Sequence, residues 1–375
     1  MTSRSIALGR APGAPALEVP SVAAGSFHIA SLDGMRALAV MIVFVGHAGL
    51  GHIVPGGFGV TVFFFLSGYL ITTLLRREYE HHGTISFPKF YLRRVYRIFP
   101  PLYLVLAILI GLELSGFLDR EMSWTAVAAQ VFHLTNYYLI AHPSVEAAPV
   151  VPHTVPFWSL AVEEHFYLLF PLALLFLLRN RGYGQVAAML GIACGVVLLW
   201  RVALLGIVDN PGHYTYHATD ARIDSLLYGC IMGLWLNPTL DKAPGWITGR
   251  GWAVLCIVAL ALLAISFLWR SEEFRATLRY TLQGIALFPL FYCAVRYHRL
   301  ALFSWLNTRP VRALGLVSYT FYLCHYAAID IAGKLLNVDG LARGVGGFVL
   351  AAAFSAACYM LIEKRFAAMR RKLHG

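Results

Sequence analysis

The stretch RALAVMIVFVGHAG, residues 36–49, carries an arginine and a histidine at the two ends of an apolar run. The ten residues between Arg36 and His47 are all apolar or glycine, which predicts a buried helix. Eleven positions correspond to about 1100° of rotation, about 20° past three full turns, and to about 16 Å along the axis. Arg36 and His47 therefore share one helix face, and the question is why an apolar helix carries them there.

The rest of the chain has the same apolar character. Of its 375 residues 59% are hydrophobic and only 13% are charged, about half the charged fraction of soluble domains, which is near 25%. Apolar runs of about 18 residues recur, each long enough to cross a bilayer. We therefore predict an all-α polytopic membrane bundle of about ten transmembrane helices plus one re-entrant or interfacial segment, because a large soluble helical core would need more charged surface.

The candidate membrane spans follow from these apolar runs. They are 35–51, 58–75, 98–116, 158–178, 186–207, 222–237, 252–269, 279–296, 314–334 and 344–362. An eleventh stretch, 124–140, is weaker because it contains Gln130, His133 and Asn136.

The domain organisation predicted from the sequence is simple. Residues 1–30 are expected to form a flexible cytoplasmic tail, 31–365 one transmembrane domain, and 366–375 a basic cytoplasmic tail. The six cysteines lie scattered in apolar segments without a C-x-x-C pair. This distribution predicts packing roles rather than a metal site or disulfides.

Basic residues decide the predicted topology, since short cytoplasmic loops carry an excess of lysine and arginine. Four clusters stand out, at 76–97, at 179–181, at 296–312 and at 364–372. All four share one face only if 124–140 does not cross. Both termini are then cytoplasmic, and the connections 117–157, 208–221, 270–278 and 335–343 face outward. The net charge of +11 is thus interpreted as an inner-leaflet signature and not as a nucleic-acid site.

Within this topology Arg36 lies near the cytoplasmic membrane surface and His47 in the outer half of the membrane. An ionisable residue inside a membrane indicates function. The alternative is an arginine that snorkels to the interface and a histidine that only bonds a neighbouring carbonyl. From the spacing alone both interpretations remain open.

The next span, GGFGVTVFFFLSGYLITTLLRR (56–77), is interrupted by Ser67 and Gly68. Glycine allows a close approach of backbones, and the serine hydroxyl can bond a ligand or a neighbouring helix. Packing of small residues between helices is the common alternative.

The stretch FPKFYLRRVYRIFPPLYL (87–104) places Arg93, Arg94 and Arg97 beside tyrosines at the cytoplasmic surface. The alternative is that these charges only fix the orientation of the protein in the membrane, a role that lysine would fill equally well. Arginine with aromatic residues suits a phosphate ligand that also has a stackable base. The pattern therefore favours a nucleotide-bearing acyl donor such as acyl-CoA.

A carboxylate enters the membrane in HTVPFWSLAVEEHFYLLFP (153–171). Glu163 lies two turns in and shares a helix face with Ser159 and Tyr167. Such a buried carboxylate is usually partnered. Glu163 and His47 each lie a few residues below the outer ends of their helices. The two can therefore meet, and the carboxylate would then orient or charge the imidazole.

In these residues the chain resembles the acyltransferase-3 family of integral membrane O-acyltransferases. The resemblance runs from about residue 30 to 365 and is specific in combination. It rests on the R-x10-H spacing, FFFLSGYL, YLRRVYRIFPPLYL, FWSLAVEEHFYLLFP, and the distal pair RIDSLLYG and LGLVSYTFYLCHY.

The resemblance implies roles for individual residues. It implies that His47 is the catalytic histidine and that Glu163, at the acidic position of its block, belongs to the catalytic set. It implies that Arg36 is the motif partner of His47 and that Arg93, Arg94 and Arg97 belong to the acyl-CoA-binding region. Arg36 and Ser67 are expected to contribute to donor binding as well. Tyr167, Arg222 and Asp224 match motif positions that bind substrate or support the structure.

The function implied is transfer of an acyl group, expected to be acetyl, from acyl-CoA to a carbohydrate hydroxyl. His47 would act as general base or as transient acyl carrier. The acceptor is expected to be a surface or secreted glycan or a lipid-linked sugar; the alternative is a macrolide or other small metabolite. A transporter or lipid-flipping protein would show inverted-repeat hydropathy, which the sequence lacks.

The expected surroundings follow from the same interpretation. The protein is expected to be a multi-pass protein of the cell inner membrane, with acyl-CoA as co-substrate, no tightly bound cofactor or metal, and no nucleic-acid partner. The oligomeric state stays open.

Overall fold

The computed structural model describes residues 30–118, 122–143 and 150–374, so the predicted tail at 1–30 lies almost wholly outside the described residues. The described part is all-α and contains no β-strand. Its α-helices are α1 (Ala30–Val45), α2 (Gly56–His82), α3 (Phe87–Leu114), α4 (Trp124–Val131), α5 (Thr135–Ala141), α6 (Trp158–Leu178), α7 (Tyr183–Leu204), α8 (Pro211–His217), α9 (Thr219–Leu234), α10 (Gly249–Leu268), α11 (Glu272–Ala276), α12 (Leu278–Arg296), α13 (Ala301–Ser304), α14 (Arg309–Leu336), α15 (Gly340–Cys358) and α16 (Lys364–Arg371). Two π-helical turns, Gly46–Leu50 and Tyr359–Glu363, follow α1 and α15.

Eight helical segments of the described chain are long and apolar enough to cross a membrane. They contain α1, α2, α3, α6, α7, α10, α12 and α15 with α16. The remaining two of the ten predicted spans correspond to α9 and α14. Helix α9 has 16 residues, about 24 Å in length and shorter than the roughly 30 Å hydrocarbon core. Helix α14 has 28 residues but includes several charged and polar side chains.

Helix α9 nevertheless reaches the end of the bundle where the basic segments lie, because hydrogen bonds join its C-terminal end to them. The hydroxyl of Tyr79 donates to the carbonyl of Leu178 over 3.2 Å, and Arg76 donates to Leu234 over 3.1 Å. At the same end Arg296 donates to the carbonyl of Pro238. The ends of α2, α6, α9 and α12 therefore lie together, as expected if the chain crosses the membrane ten times. We call this the basic end.

The opposite end collects the connections that were predicted to face outward. The Lys334 ammonium donates to the carbonyl of Leu118 over 3.3 Å, and the ring of His213 bonds the carbonyl of Leu139 over 3.0 Å. The first contact joins the end of α14 to the residues after α3, and the second joins α8 to α5. The structure thus separates the chain into the two faces that the charge pattern indicates.

The weak eleventh stretch, 124–140, does not cross the bundle. It forms two short helices, α4 and α5, separated by a turn in which His133 has a positive φ of 57°. Helices of 8 and 7 residues are about 12 and 10 Å long, far less than a membrane span. The prediction of a re-entrant or interfacial segment agrees with this geometry.

Glycines set two close helix crossings that position the site. A Cβ added at Gly68 would lie 2.0 Å from the carbonyl oxygen of Leu226, and one at Gly229 would lie 2.0 Å from that of Phe65. Helices α2 and α9 therefore pack backbone to backbone, as the Ser67-Gly68 pair predicts. A Cβ at Gly315 would lie 1.9 Å from the carbonyl oxygen of Asp33, which brings α14 equally close to α1.

The C-terminal segment, which includes most of the predicted basic tail 366–375, is helical. Residues 364–371 form α16, which continues the course of α15 after the π-helical turn. The carbonyl of Leu373 accepts a hydrogen bond from Arg93. The segment is thus packed against α3. The six cysteines are all free, and five of them are buried, which agrees with their predicted packing roles.

Candidate functional site

A cavity of about 910 Å³ lies at the basic end of the bundle. Seven of the predicted site residues line it together, although they come from four helices. These residues are Arg36, Ser67, Arg93, Arg94, Arg97, Glu163 and Tyr167. Helix α16 adds Arg370 and Arg371 to the same wall. We call this space the basic cavity.

The arginines of the basic cavity differ in how they are held. Arg93 forms an ion pair with Glu78 over 3.0 Å, and Arg36 forms one with Asp33 over 2.9 Å. Arg94 lies over the ring of Tyr167, 5.7 Å from its centroid. Among the described residues neither Arg94 nor Arg97 has a hydrogen-bonded acceptor. These two guanidinium groups are therefore the members of the predicted cluster that are available to an anionic ligand.

Ser67, Glu163 and Tyr167 form a hydrogen-bonded chain in the same cavity. The Ser67 hydroxyl donates to Glu163 Oε1 over 2.6 Å, and the Tyr167 hydroxyl donates to Ser67 Oγ over 3.1 Å. Gly68 brings α2 against α9, and the adjacent Ser67 points about 100° away around the helix, toward α6. These hydrogen bonds give the half-buried Glu163 the partner that a carboxylate at this depth requires.

His47 lies in a second, smaller space of about 240 Å³, which we call the His47 pocket. It is on the π-helical turn Gly46–Leu50, where Gly49 has a φ of 100° and the regular α-helical hydrogen bonding is interrupted. His47 is exposed, and its Nδ1 lies 2.8 Å from Nε2 of His325 on α14. The two ring planes are inclined by 26° and their centroids lie 5.1 Å apart, so the rings meet edge to edge through these two nitrogens.

The sequence allowed Glu163 to meet His47, and the structure does not form that pair. Trp158, the first residue of α6, and Pro156, in the turn before it, line the His47 pocket. Glu163 follows Trp158 by five residues, which is about 7.5 Å further along the helix. This distance places the carboxylate in the basic cavity, so the observed partner of His47 is an imidazole.

The two spaces adjoin at Val60 and Tyr322, which line both of them. Tyr322 is fixed by its neighbours: its hydroxyl donates to the carbonyl of Pro156 over 2.9 Å and lies 2.7 Å from Ser159 Oγ. Arg36 and His47, the residues that open and close the first motif, thus line adjoining compartments along one helix. Helix α1 forms a wall that joins the basic end to His47.

Arg222 and Asp224 line neither space and have structural contacts. Both side chains are fully buried. Arg222 donates to Thr61 Oγ1 over 3.1 Å and lies 3.9 Å from the ring centroid of Tyr280. Asp224 forms a 2.7 Å ion pair with the buried Arg201. Of the two roles left open for these motif positions, the contacts favour support of the structure.

Aromatic residues of the His47 pocket were missed by reasoning from the sequence. Trp158 and Tyr216 line it with ring centroids 4.8 Å apart, and His217 lies beside them. Burial lowers the pKa of His217 to about 4, so this imidazole is neutral at physiological pH. The missed His325 had one available signal, because YLCHY places a second histidine inside an apolar helix.

Comparisons with known proteins identify the relatives of this chain. A family model described as "Acyltransferase domain" matches residues 29–362. The O-acetyltransferase OatA of Staphylococcus aureus is 30% identical over 311 residues, covering 80% of this chain and 51% of the relative. The peptidoglycan O-acetyltransferase OatA of Listeria monocytogenes is 25% identical over 321 residues, which cover 83% and 51% of the two chains.

A third relative extends the same pattern. The putative peptidoglycan O-acetyltransferase YrhL of Bacillus subtilis is 29% identical over 331 residues, covering 83% of this chain and 50% of the relative. The chain thus spans about half the length of the curated relatives it matches. No solved structure gives a significant match.

Proposed function

Because the chain belongs to the acyltransferase domain family, we propose that it transfers an acetyl group from acetyl-CoA to a hydroxyl of a cell-surface carbohydrate. Peptidoglycan is the proposed acceptor, since the relative from Listeria monocytogenes is named a peptidoglycan O-acetyltransferase and that from Bacillus subtilis a putative one. The observation that carries the proposal is the contact between the basic cavity and the His47 pocket at Val60 and Tyr322.

The basic cavity supports the assignment of acyl-CoA as donor. Arg94 and Arg97 line it without a described hydrogen-bonded acceptor, and arginine grips phosphate through two parallel hydrogen bonds. The volume of about 910 Å³ lies within the range of about 300–1,000 Å³ for small-molecule sites. The phosphates of the donor would bind at the arginines, and its thin pantetheine arm would extend past Arg36.

The transfer step would then take place at His47. As general base, Nε2 of His47 removes the proton of the acceptor hydroxyl, whose oxygen forms a bond to the thioester carbonyl carbon. The carbon–sulfur bond breaks, and the CoA thiolate leaves and takes the proton from the imidazolium. General-base assistance of this kind contributes about 10²–10⁴-fold to a rate. The alternative, a transient acyl group on the same nitrogen, uses the same lone pair.

The His47 pocket has the character of a site for a neutral, hydroxyl-rich acceptor. Trp158 and Tyr216 offer aromatic faces, and His217 is neutral. None of the described residues that line this pocket has a carboxylate, lysine or arginine side chain. The basic cavity takes the anionic donor and the His47 pocket takes the sugar, so that the two substrates approach from opposite ends.

The proposed orientation follows the charge pattern. The basic end faces the cytoplasm, where acyl-CoA is available, and both termini lie on that side of the inner membrane. The His47 pocket then opens toward the outer side, where the proposed acceptor is found. In this orientation the protein delivers an activated acetyl group across the membrane without transporting CoA.

The test uses the full chain reconstituted in lipid vesicles with radiolabelled acetyl-CoA. Soluble peptidoglycan fragments, a macrolide and buffer alone serve as separate acceptor arms, with CoA release and label transfer as readouts. We expect label on the glycan with the unmodified protein and at least about a 10²-fold loss with His47→Ala. Absence of CoA release in every arm would overturn the enzyme assignment, and label on the macrolide alone would overturn the acceptor.

A further inference from the structure

A chain of two hydrogen bonds links His47 to the backbone of α14. His47 Nδ1 lies 2.8 Å from His325 Nε2, and His325 Nδ1 lies 2.7 Å from the carbonyl oxygen of Tyr322. His325 is fully buried, whereas His47 is exposed. Of the described residues, none with a carboxylate hydrogen-bonds to either ring. The two hydrogen bonds therefore connect the protein interior to the pocket through imidazole rings alone.

The carbonyl of Tyr322, at one end of these two hydrogen bonds, determines which nitrogen of each histidine carries a proton. A carbonyl oxygen only accepts, so His325 Nδ1 must carry a proton and donate it to Tyr322. A neutral His325 then has its lone pair on Nε2, where it accepts from His47. His47 must therefore carry its proton on Nδ1. The nitrogen of His47 that remains without a proton is Nε2.

The backbone contacts of α1 and α14 hold this arrangement in register. Gly315 lies against the carbonyl of Asp33 at the basic end of the two helices. Phe44 adds edge-to-face contacts with Phe321 and His325 nearer to the pocket, with ring centroids 5.6 and 6.5 Å apart. The His325 ring is thereby confined, and its Nε2 faces the π-helical turn that carries His47.

We infer that His325 is a positioning residue that holds His47 in the tautomer with Nδ1 protonated and Nε2 free to react. This inference rests on the proposed function, in which Nε2 of His47 takes a proton or an acetyl group. With the opposite tautomer, Nε2 would carry a proton and could do neither. His325 acts here as an imidazole in the place where a carboxylate or carbonyl commonly orients a catalytic histidine.

Two substitutions separate this role from simple packing. The side-chain oxygen of glutamine reaches about as far as Nε2 of histidine, so His325→Gln can still accept from His47. Asparagine reaches only as far as Nδ1, so His325→Asn keeps a polar side chain but loses the acceptor. We expect His325→Asn to lower kcat by about 10²–10³-fold with unchanged KM for acetyl-CoA, and His325→Gln to retain most of kcat.

The outcomes separate failure of this inference from failure of the proposed function. Loss of activity in His47→Ala with wild-type kcat in His325→Asn would overturn the positioning role alone. Wild-type activity in His47→Ala would remove His47 from the mechanism and with it the basis of both proposals. Equal kcat values for His325→Asn and His325→Gln would contradict the inference. A residue that only packs would not need the hydrogen-bond acceptor that glutamine keeps and asparagine loses.

A spectroscopic measurement decides the matter even where a His325 variant does not fold. The full chain labelled with ¹⁵N-histidine is compared with the labelled His47→Gln variant by solid-state NMR at neutral pH, and the difference identifies the His47 signals. We expect a protonated Nδ1 and an unprotonated Nε2. A His47 found with its proton on Nε2 would overturn the inference.

Discussion

Val60 and Tyr322 line both the basic cavity and the His47 pocket, and they lie where the two spaces meet. Val60 belongs to α2 and Tyr322 to α14, and both side chains are buried. Tyr322 is held by Pro156 and Ser159 at the start of α6. The boundary between the proposed donor and acceptor compartments is thus built by three helices that lie far apart in the sequence.

A larger side chain at this boundary should block the proposed passage of the pantetheine arm. We expect Val60→Trp to lower kcat by about 10-fold or more, because misplacing reacting groups by about 1 Å can lower a rate by about 10²-fold. The KM for acetyl-CoA should change little, since the phosphates bind elsewhere. Val60→Ala, which widens the same point, should not show this loss. Steady-state kinetics of the two variants make the comparison. Unchanged kcat in Val60→Trp would place the thioester on another route.

The three arginines of α3 should respond differently to replacement by lysine, which keeps the charge but loses the bidentate grip. Arg94→Lys and Arg97→Lys should each raise KM for acetyl-CoA by about one to two decades, equivalent to about 1.5–3 kcal/mol for a charge-assisted contact. Arg93→Lys is the matched control, because Arg93 already pairs with Glu78. We expect a smaller rise there. Equal effects at all three positions would show that the ion pair does not withhold Arg93 from the donor.

The crossing of α2 and α9 should tolerate no side chain at Gly68. A Cβ there meets the carbonyl oxygen of Leu226 at 2.0 Å, and such overpacking typically costs about 1–3 kcal/mol. We expect Gly68→Ala to lower the thermal unfolding temperature in detergent and to displace Ser67 from Glu163. The matched control is Gly195→Ala on α7, since a Cβ added at Gly195 has no neighbour within 4 Å. Equal stability of both variants would contradict this close crossing.

Asp224 is expected to act on stability and not on the reaction. Its 2.7 Å pair with Arg201 is fully buried, and removing one partner of a buried ion pair costs about 3–5 kcal/mol. Asp224→Ala should therefore reduce the yield of folded protein strongly. The double variant Arg201→Met with Asp224→Leu should recover much of it. If the double variant folds but lacks activity, the ion pair of Arg201 and Asp224 has a direct role at the site.

The ten-pass topology can be tested with single cysteines at the two ends. We expect Asp209→Cys, in the connection after α7, to react with a membrane-impermeant maleimide from outside intact cells. Lys372→Cys should react only after the cells are opened. The unmodified chain, whose native cysteines are buried or half-buried, gives the background labelling. Labelling of both positions from the same side would contradict the passage of an odd number of helices between them.

The sequence by itself determined the class of fold and most of the residues around the basic cavity. Apolar runs of span length require helices, because backbone groups inside a bilayer must bond within their own segment. Basic clusters indicate the cytoplasmic face. All four clusters can share that face only if 124–140 does not cross, which identified that segment. Seven of the predicted site residues line that cavity. They could be recognised in the sequence because they are charged or polar groups within apolar spans or in the basic segment 87–104.

Only the tertiary structure decided which of these groups are partners. Local spacing places Arg36 and His47 on one face, yet it carries no information about which helix lies opposite. The partner of Glu163 proved to be Ser67 and that of His47 proved to be His325. Both pairings depend on close crossings, of α2 with α9 and of α1 with α14, where glycines admit the backbone of a distant segment. A contact between residues 278 positions apart is set by the packing of the whole bundle, which no periodicity within a single helix contains.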